Sequence, residues 1–367
     1  MSGMALSKAK LDEPSADTVE ALTRIWERVL QRAPIGPEDN FFDLPGTDAQ
    51  ADLVFKAISD SLGRRLPTAT ICYAPTIHAL SSFLEEPSLP PFSPIVPLKN
   101  GKGSPILIFP GVGGRASFYD LAQHIRTENP VYGLQAKGVD GRDQPLGRVE
   151  EMAEYYLDAL RELPSPDFYL LVGYSFGGLV ALEIAQRVLQ SGKRVALLVM
   201  IDTYPHPRYI PFAQRIMLNA QLLKNRSFRG ACSRVFSAIN NRLSKTGSAN
   251  AQSPTPINSR LSLAETMTWV KQKDFQALER YRPRFYKGKI KFVRPEGNSY
   301  LPVHPATVWK NLAAQFELDM VPGDHLGMIS THFDRLGALL TTYVTEASEP
   351  MQRSGNSLHT VERSKDA

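Results

Sequence analysis

A chain of 367 residues with 43% apolar and 22% charged residues has the composition of a globular protein with room for about two domains. Its two cysteines exclude a disulfide framework and a cysteine-built metal cluster, and no apolar run approaches the roughly 20 residues of a membrane-spanning helix. The net charge of +5 is uneven: residues 14–87 hold 6 Lys/Arg against 11 Asp/Glu, whereas residues 203–264 hold nine Lys/Arg and no Asp or Glu. Met1 to Lys10 lack the apolar core of a secretory leader, so a cytoplasmic location is the expectation.

Residues 1–13 are aperiodic and expected to be disordered. Asp17 and Glu20 stand at capping-box spacing. Val19, Leu22, Ile25, Trp26, Val29 and Leu30 then recur at helical spacing and predict a first amphipathic helix. Pro34 and Pro37 predict a loop. Leu53, Val54, Ala57, Ile58 and Leu62 predict a second helix over 49–62, stopped by Gly63, and Thr76–Leu84 a short third one after Pro75. The expectation for residues 14–86 is a small all-α bundle, near the lower size at which one core suffices. Five prolines (Pro87, Pro90, Pro91, Pro94, Pro97) predict a semi-rigid linker over 87–97.

Beyond the linker, short apolar or β-branched runs (Pro105–Phe109, Val131–Leu134, Phe168–Gly173, Val195–Ile201, Lys289–Val293) alternate with helical stretches such as Val149–Leu163 and Leu179–Gln190. Such alternation predicts an α/β domain over 98–346 with a mostly parallel sheet. Residues 205–280 interrupt it with helix-like segments and a Ser/Asn/Pro-rich stretch, as a lid does. Residues 347–367 are polar and are expected to be a disordered tail.

Three segments carry chemistry. A predicted strand runs into Gly173-Tyr174-Ser175-Phe176-Gly177 and a predicted helix follows. That context fits a Gly-x-Ser-x-Gly elbow, which lifts a serine onto a tight turn, where Ser175 is the candidate nucleophile. The Phe176 N–H, at the positive end of the following helix, is one candidate donor to an oxyanion. Phe109-Pro110-Gly111-Val112-Gly113-Gly114 follows an early strand and offers the second, the Val112 N–H. Asp202 ends the strand Val195–Ile201, and His325 lies in a loop after a late strand ending near Met320. The order Ser, acid, His is that of α/β-hydrolases, with His325 as base and Asp202 as its orienter. Asp324 is a competing orienter, although adjacent side chains rarely face each other. None of His78, His124, His206, His304, His332 and His359 has metal-ligand spacing.

On these motifs residues 96–345 resemble the thioesterase domains that end nonribosomal peptide synthetases and polyketide synthases. The resemblance rests on Gly173-Tyr174-Ser175-Phe176-Gly177-Gly178, Val199-Met200-Ile201-Asp202-Thr203, Pro322-Gly323-Asp324-His325, and Tyr281-Arg282-Pro283 through Tyr286-Lys287-Gly288 after the lid. Residues 17–84 resemble the peptidyl-carrier domains that precede such thioesterases, through Ile25-Trp26, Val29-Leu30, Asp39-Asn40-Phe41-Phe42-Asp43-Leu44 and Pro75-Thr76-Ile77. In that family the stretch after Phe41-Phe42-Asp43 reads Leu-Gly-Gly-x-Ser-Leu, and its serine carries phosphopantetheine. Here it reads Leu44-Pro45-Gly46-Thr47-Asp48-Ala49. Asp48 has no hydroxyl for a phosphodiester, so no phosphopantetheine and no other cofactor is expected. Asp48 is instead suited to cap the second helix.

The resemblance implies a serine thioesterase with an α/β-hydrolase fold. It would release an acyl or peptidyl group, by hydrolysis or cyclisation, from a separate acyl- or peptidyl-carrier protein of an assembly line. An acyltransferase using the same acyl-serine intermediate with an alcohol or amine acceptor is an alternative, and a non-catalytic docking protein is another. The basic stretch supplies Arg215, Lys224, Arg226 and Arg229 as candidates for holding an acidic carrier or its phosphate. The acidic N-terminal bundle is a candidate to dock on that basic lid. Nucleic acid is not an expected partner. Phe212, Ile216, Leu222, Leu223 and Phe228 interleave with the basic residues, and core-facing lid packing is preferred over a membrane surface for them.

Overall fold

The computed structural model describes residues 14–42, 44, 47–64, 66, 68–72, 74–85, 92–114, 118–210, 263–299, 301 and 303–362. Helices α1 (Ala16–Leu30), α2 (Asp48–Leu62) and α3 (Ile77–Glu85), with a 3-10 turn over Thr68–Cys72, form the N-terminal bundle. Leu22, Ile25, Trp26 and Leu30 bury one face of α1, and Trp26 meets Phe41 edge-to-face at 5.3 Å. In α2 the buried positions are Ala51, Val54, Phe55 and Ile58. Leu53, expected inside, is 54% exposed, because Phe55 takes the inward position one residue pair later.

The caps differ from the sequence expectation. Ser15 caps α1 by accepting the Thr18 N–H, which leaves Asp17 inside the first turn. Thr47 caps α2 in a reciprocal box with Gln50, so Asp48 is the first helical residue and not the cap. Gly63 ends α2 at φ 67°, as expected of a residue with no Cβ to clash.

The rest is a seven-stranded sheet: β1 (Ile95–Lys99), β2 (Ile106–Phe109), β3 (Val131–Leu134), β4 (Tyr169–Tyr174), β5 (Val195–Ile201), β6 (Tyr286–Pro295) and β7 (Ala313–Val321), in the order β1-β3-β2-β4-β5-β6-β7. Every pairing is parallel except β1 with β3. Strand β1 takes up the end of the proline-rich segment assigned to a linker. It is an edge strand, where Pro97 is tolerated, and Val96 and Leu98 are buried. Helices α4 (Tyr119–His124), α5 (Val149–Leu160), α6 (Gly177–Gln190), α7 (Leu263–Arg280), α8 (Ala306–Trp309), α9 (Gly327–Ser330) and α10 (Phe333–Glu362), with a 3-10 turn over Pro207–Tyr209, complete the described element order.

Side chains of α5 and α6 join one apolar layer with Leu107, Phe109, Leu171, Leu198 and Phe292. Side chains of α4 and α10 join the other with Ile106, Ile108, Leu170, Val172 and Val199. The central strands are therefore covered on both faces, which their nearly continuous apolar sequences require. This is the α/β-hydrolase fold preceded by a helical region. The tail also departs from expectation, because α10 runs on to Glu362 rather than ending near 346. Leu336, Leu340, Tyr343 and Val344 anchor its first half, and propagation adds one hydrogen bond per residue once a helix is nucleated. Among the described residues no helix is long and apolar enough to cross a membrane.

The bundle is not isolated from the sheet domain. Helix α2 contacts α7, and Leu263, Met267 and Val270 of α7, with Val139, share one buried cluster with the bundle core. That contact is mainly apolar, with the Leu263 N–H also donating to Asp52 Oδ1 of α2 at 3.4 Å. Docking on the basic residues Arg215, Lys224, Arg226 and Arg229 lies outside the described residues, as do the apolar positions between them. Met267 is 1% exposed, so Met267→Ala is expected to cost about 2–3 kcal/mol. Urea denaturation of the full chain checks this, and an unchanged midpoint would mean that the bundle does not press on α7.

Candidate active site

The site is assembled at the carboxyl ends of β4, β5 and β7. Tyr174 of β4 pairs with Ile201 of β5, and the Ser175 N–H donates to the Ile201 carbonyl at 2.8 Å. Ser175 is thereby fixed one residue beyond its strand with φ 54°, a left-handed conformation that a non-glycine residue holds only when its surroundings impose it. The flanking glycines make that turn possible. A Cβ on Gly173 would lie 2.4 Å from the Gly178 Cα, and one on Gly177 would lie 2.4 Å from the Phe109 and Pro110 carbonyl oxygens. The second of these contacts presses the start of α6 against the loop that follows β2.

Asp202 follows β5, also at positive φ (42°), with its N–H donating to Val293 of β6. It is completely buried. Its Oδ2 lies 2.6 Å from His325 Nδ1, and its Oδ1 accepts the Ser299 hydroxyl at 2.5 Å. A buried carboxylate is costly unless its lone pairs are used, and these contacts use both oxygens. Asp324 does not compete for the imidazole. Its carboxylate accepts the Gly327 N–H at 2.7 Å and holds the loop into α9. His332 stands just before α10 and not on a common helix with His325.

Tyr174 completes the setting of His325. Its ring stacks on the imidazole at 5.0 Å and 26°, and its hydroxyl donates to the His325 carbonyl at 2.8 Å. Burial first, and then the Asp202 charge, raise the Tyr174 pKa, so the phenol stays a donor. The elbow residue before Ser175 thus ties the β4 turn to the β7 loop.

Both candidate oxyanion donors flank Ser175. Phe176 is the N-cap residue of α6. Val112 occupies the turn Gly111–Gly114, closed by a Gly114 N–H to Gly111 carbonyl bond of 3.1 Å. A Cβ on Gly111 would lie 3.3 Å from the Ser175 Cβ, which places this turn against the serine. Gly113 sits at φ 103°, and its N–H donates to Asp274 Oδ2 of α7 at 2.8 Å.

The sequence pattern supplied Ser175, Val112, Phe176, Asp202 and His325, and all five come to one end of the sheet. It did not supply Ser299, Asp274 or the Tyr174 contact. Ser299 carries no motif, and Asp274 looks like one more charge on a lid helix. Tyr174 lay within the motif but at a position any residue can occupy. Among the described residues no group of three or more His, Cys, Asp or Glu is placed to hold a metal ion.

A family model described as a thioesterase domain matches residues 104–344. The chain is 33% identical over 204 residues to malpibaldin synthetase of Mortierella alpina, covering 54% of this chain and 4% of that protein. It is 32% identical over 191 residues to indigoidine synthase of Streptomyces lavendulae, covering 51% of this chain and 15% of that protein. A dimodular nonribosomal peptide synthase of Bacillus subtilis (strain 168) is 31% identical over 204 residues, covering 55% of this chain and 8% of that protein. The chain therefore spans a small fraction of these relatives' lengths. Among solved structures, a holo four-domain nonribosomal peptide synthetase bound to AMP and glycine superimposes with a TM-score of 0.55 at 21% identity. That similarity is one of fold, and it covers 90% of this chain and 26% of the other.

Proposed function

This chain belongs to the thioesterase domain family, and on that premise we propose that it is a serine thioesterase. It releases an acyl or peptidyl group, by hydrolysis or cyclisation, from the phosphopantetheine thioester of a separate carrier protein in nonribosomal peptide or polyketide-type synthesis. The observation that carries the proposal is the arrangement at the sheet edge. Ser175 is strained at φ 54° on its elbow, and His325 is held 2.6 Å from a buried Asp202. Strain at such a turn is maintained where the exposed hydroxyl is used.

In the proposed reaction His325 Nε2 takes the Ser175 hydroxyl proton as Oγ attacks the thioester carbonyl. The Asp202 carboxylate accepts the His325 Nδ1–H and stabilises the imidazolium that forms. The Val112 and Phe176 N–H groups receive the developing oxyanion, a contribution on the order of 3 kcal/mol for one such donor. Collapse breaks the C–S bond, and the imidazolium returns its proton to the leaving thiolate. Water, or a hydroxyl or amine within the acyl chain, then attacks the acyl-Ser175 ester with His325 again as base.

The substrate comes from another carrier, on this proposal, because the chain's own carrier-like bundle cannot be loaded. Asp48 has no hydroxyl to form a phosphodiester. The neighbouring Thr47 hydroxyl is engaged in the α2 capping box, 3.0 Å from Gln50 Oε1 and 3.2 Å from the Gln50 N–H that it accepts. The fold similarity to a four-domain nonribosomal peptide synthetase extends over 90% of the chain, beyond the thioesterase-type domain alone.

The test is labelling with a fluorophosphonate, which needs an activated serine and no knowledge of the acyl group. Wild-type protein is expected to be modified at Ser175 alone, and Ser175→Ala to remain unlabelled. Folded wild-type protein that stays unmodified would overturn the proposal.

A further inference from the structure

Helix α7 closes the 205–280 segment read as a lid, and its side chains are sorted by what they meet. Leu263, Met267 and Val270 lie in the cluster shared with the N-terminal bundle, and Ala277 and Leu278 lie in the core layer under the sheet. Between them stands a carboxylate. Asp274 is 2% exposed, and among the described residues its carboxylate accepts the Gly113 N–H, 2.8 Å from Oδ2. It lines a small pocket with Gly111, Gly114, Tyr156 and Phe176, so it stands directly behind the turn that carries Val112 and close to the first residue of the elbow helix.

An apolar side chain would fill this position at lower free-energy cost. Burial pushes the Asp274 carboxyl up to about 7, and the Gly113 N–H is what opposes the shift. A carboxyl kept in such a place needs a partner that requires it. The Gly113 N–H is that partner. It belongs to a buried peptide group at φ 103°, next in sequence to the N–H assigned to the oxyanion.

We propose that Asp274 is a positioning residue for the oxyanion site. By accepting the Gly113 N–H it fixes the Gly111–Gly114 turn, so that the Val112 N–H points at the reacting carbonyl oxygen. It also ties that turn to the helix on which the bundle rests. The proposal deepens the thioesterase reading and rests on it. Asp274 touches no reacting atom. Its effect comes through the peptide between Val112 and Gly113, whose rotation would swing the neighbouring N–H away from its target. A displacement of this kind matters more to the tetrahedral state than to the bound thioester, because donors are aimed at where charge develops.

The experiment compares Asp274→Ala and Asp274→Asn in the full chain, using a small acyl-thioester mimic and the fluorophosphonate probe. Asp274→Ala removes the acceptor and is expected to lower kcat by about 10- to 100-fold with KM within about 3-fold, and to slow Ser175 labelling by a similar factor. Asp274→Asn retains an oxygen that accepts the Gly113 N–H and is expected to stay within about 3-fold of wild type in both assays. That rescue separates positioning from a general loss of structure. Wild-type kcat in Asp274→Ala, or an equal loss in both variants, overturns the proposal. Should Asp274→Ala fail to fold, Asp274→Leu fills the space without an acceptor: loss of kcat supports the proposal, and a wild-type rate overturns it. Unlabelled wild-type protein overturns the underlying reading as well. A labelled wild type beside a fully active Asp274→Ala overturns this inference alone.

Discussion

Asp202→Asn is expected to lower kcat for thioester release by about four orders of magnitude while leaving the fold intact. Two contacts of the carboxylate explain the size of the effect. Oδ2 accepts the His325 Nδ1–H and Oδ1 accepts the Ser299 hydroxyl. An amide of the same shape has one acceptor and one donor. If its oxygen faces His325, its N–H2 faces Ser299, whose hydroxyl rotates to accept. If its N–H2 faces His325, the imidazole must accept at Nδ1. The proton then sits on Nε2, where it cannot take one from Ser175. Either orientation also removes the negative charge that stabilises the imidazolium in the transition state. Turnover of an acyl-thioester mimic by wild type and Asp202→Asn, with circular dichroism to confirm folding, measures the effect. A loss smaller than about tenfold would mean that Asp202 merely fills space.

The parts of the site legible in sequence are those fixed by backbone geometry. A serine on a strand-to-helix turn needs glycines where Gly173 and Gly177 stand, because a Cβ would collide with backbone 2.4 Å away. An acid at the end of β5 and a histidine after β7 must reach the same sheet edge because the strands are parallel neighbours of β4 and β6. Strand and helix periodicity placed β2 to β5 within a residue or two, since each is a short apolar run covered on both faces. What failed was decided by context. Pro97 argued for a linker, yet an edge strand has a side on which a missing N–H costs nothing. Asp17 has capping-box spacing to Glu20 and Asp48 precedes a helical run, but Ser15 and Thr47 stand one or two residues earlier with equally good oxygens and the right φ and ψ. Polarity after Glu346 argued for a tail, whereas a helix anchored by Leu336, Leu340 and Tyr343 needs no apolar face to be extended. Ser299 and Asp274 were invisible because their roles exist only through contacts 97 and 161 residues away in sequence.

Asp274 gives the second large effect, this time on stability against pH. Its carboxyl has an ordinary value of 3.8 and is pushed up to about 7 by burial, with the Gly113 N–H opposing. Its charge helps to raise the pKa of Tyr156 of α5, and the stem of Lys271 of α7 lies beside the same Gly113. Below about pH 4 the carboxyl is protonated in both folded and unfolded chains and carries no charge into the core. Between about pH 4 and 7 the unfolded chain releases the proton and the folded chain keeps it, so stability falls as pH rises. Above about pH 7 both are ionised and the loss is complete. Three pKa units correspond to about 4 kcal/mol. Asn cannot titrate, and every other ionisable group is common to the two proteins. The stability of wild type relative to Asp274→Asn is therefore expected to drop by up to about 4 kcal/mol between pH 4 and pH 8, as read by urea denaturation. A difference that does not change with pH would mean that the carboxyl is hydrated and not enclosed. The outcome bears on why the residue is there. A side chain that costs stability near neutral pH, and whose Asn replacement removes that cost without losing kcat, is retained for what its oxygen does to the Gly113 N–H and not for the packing of α7.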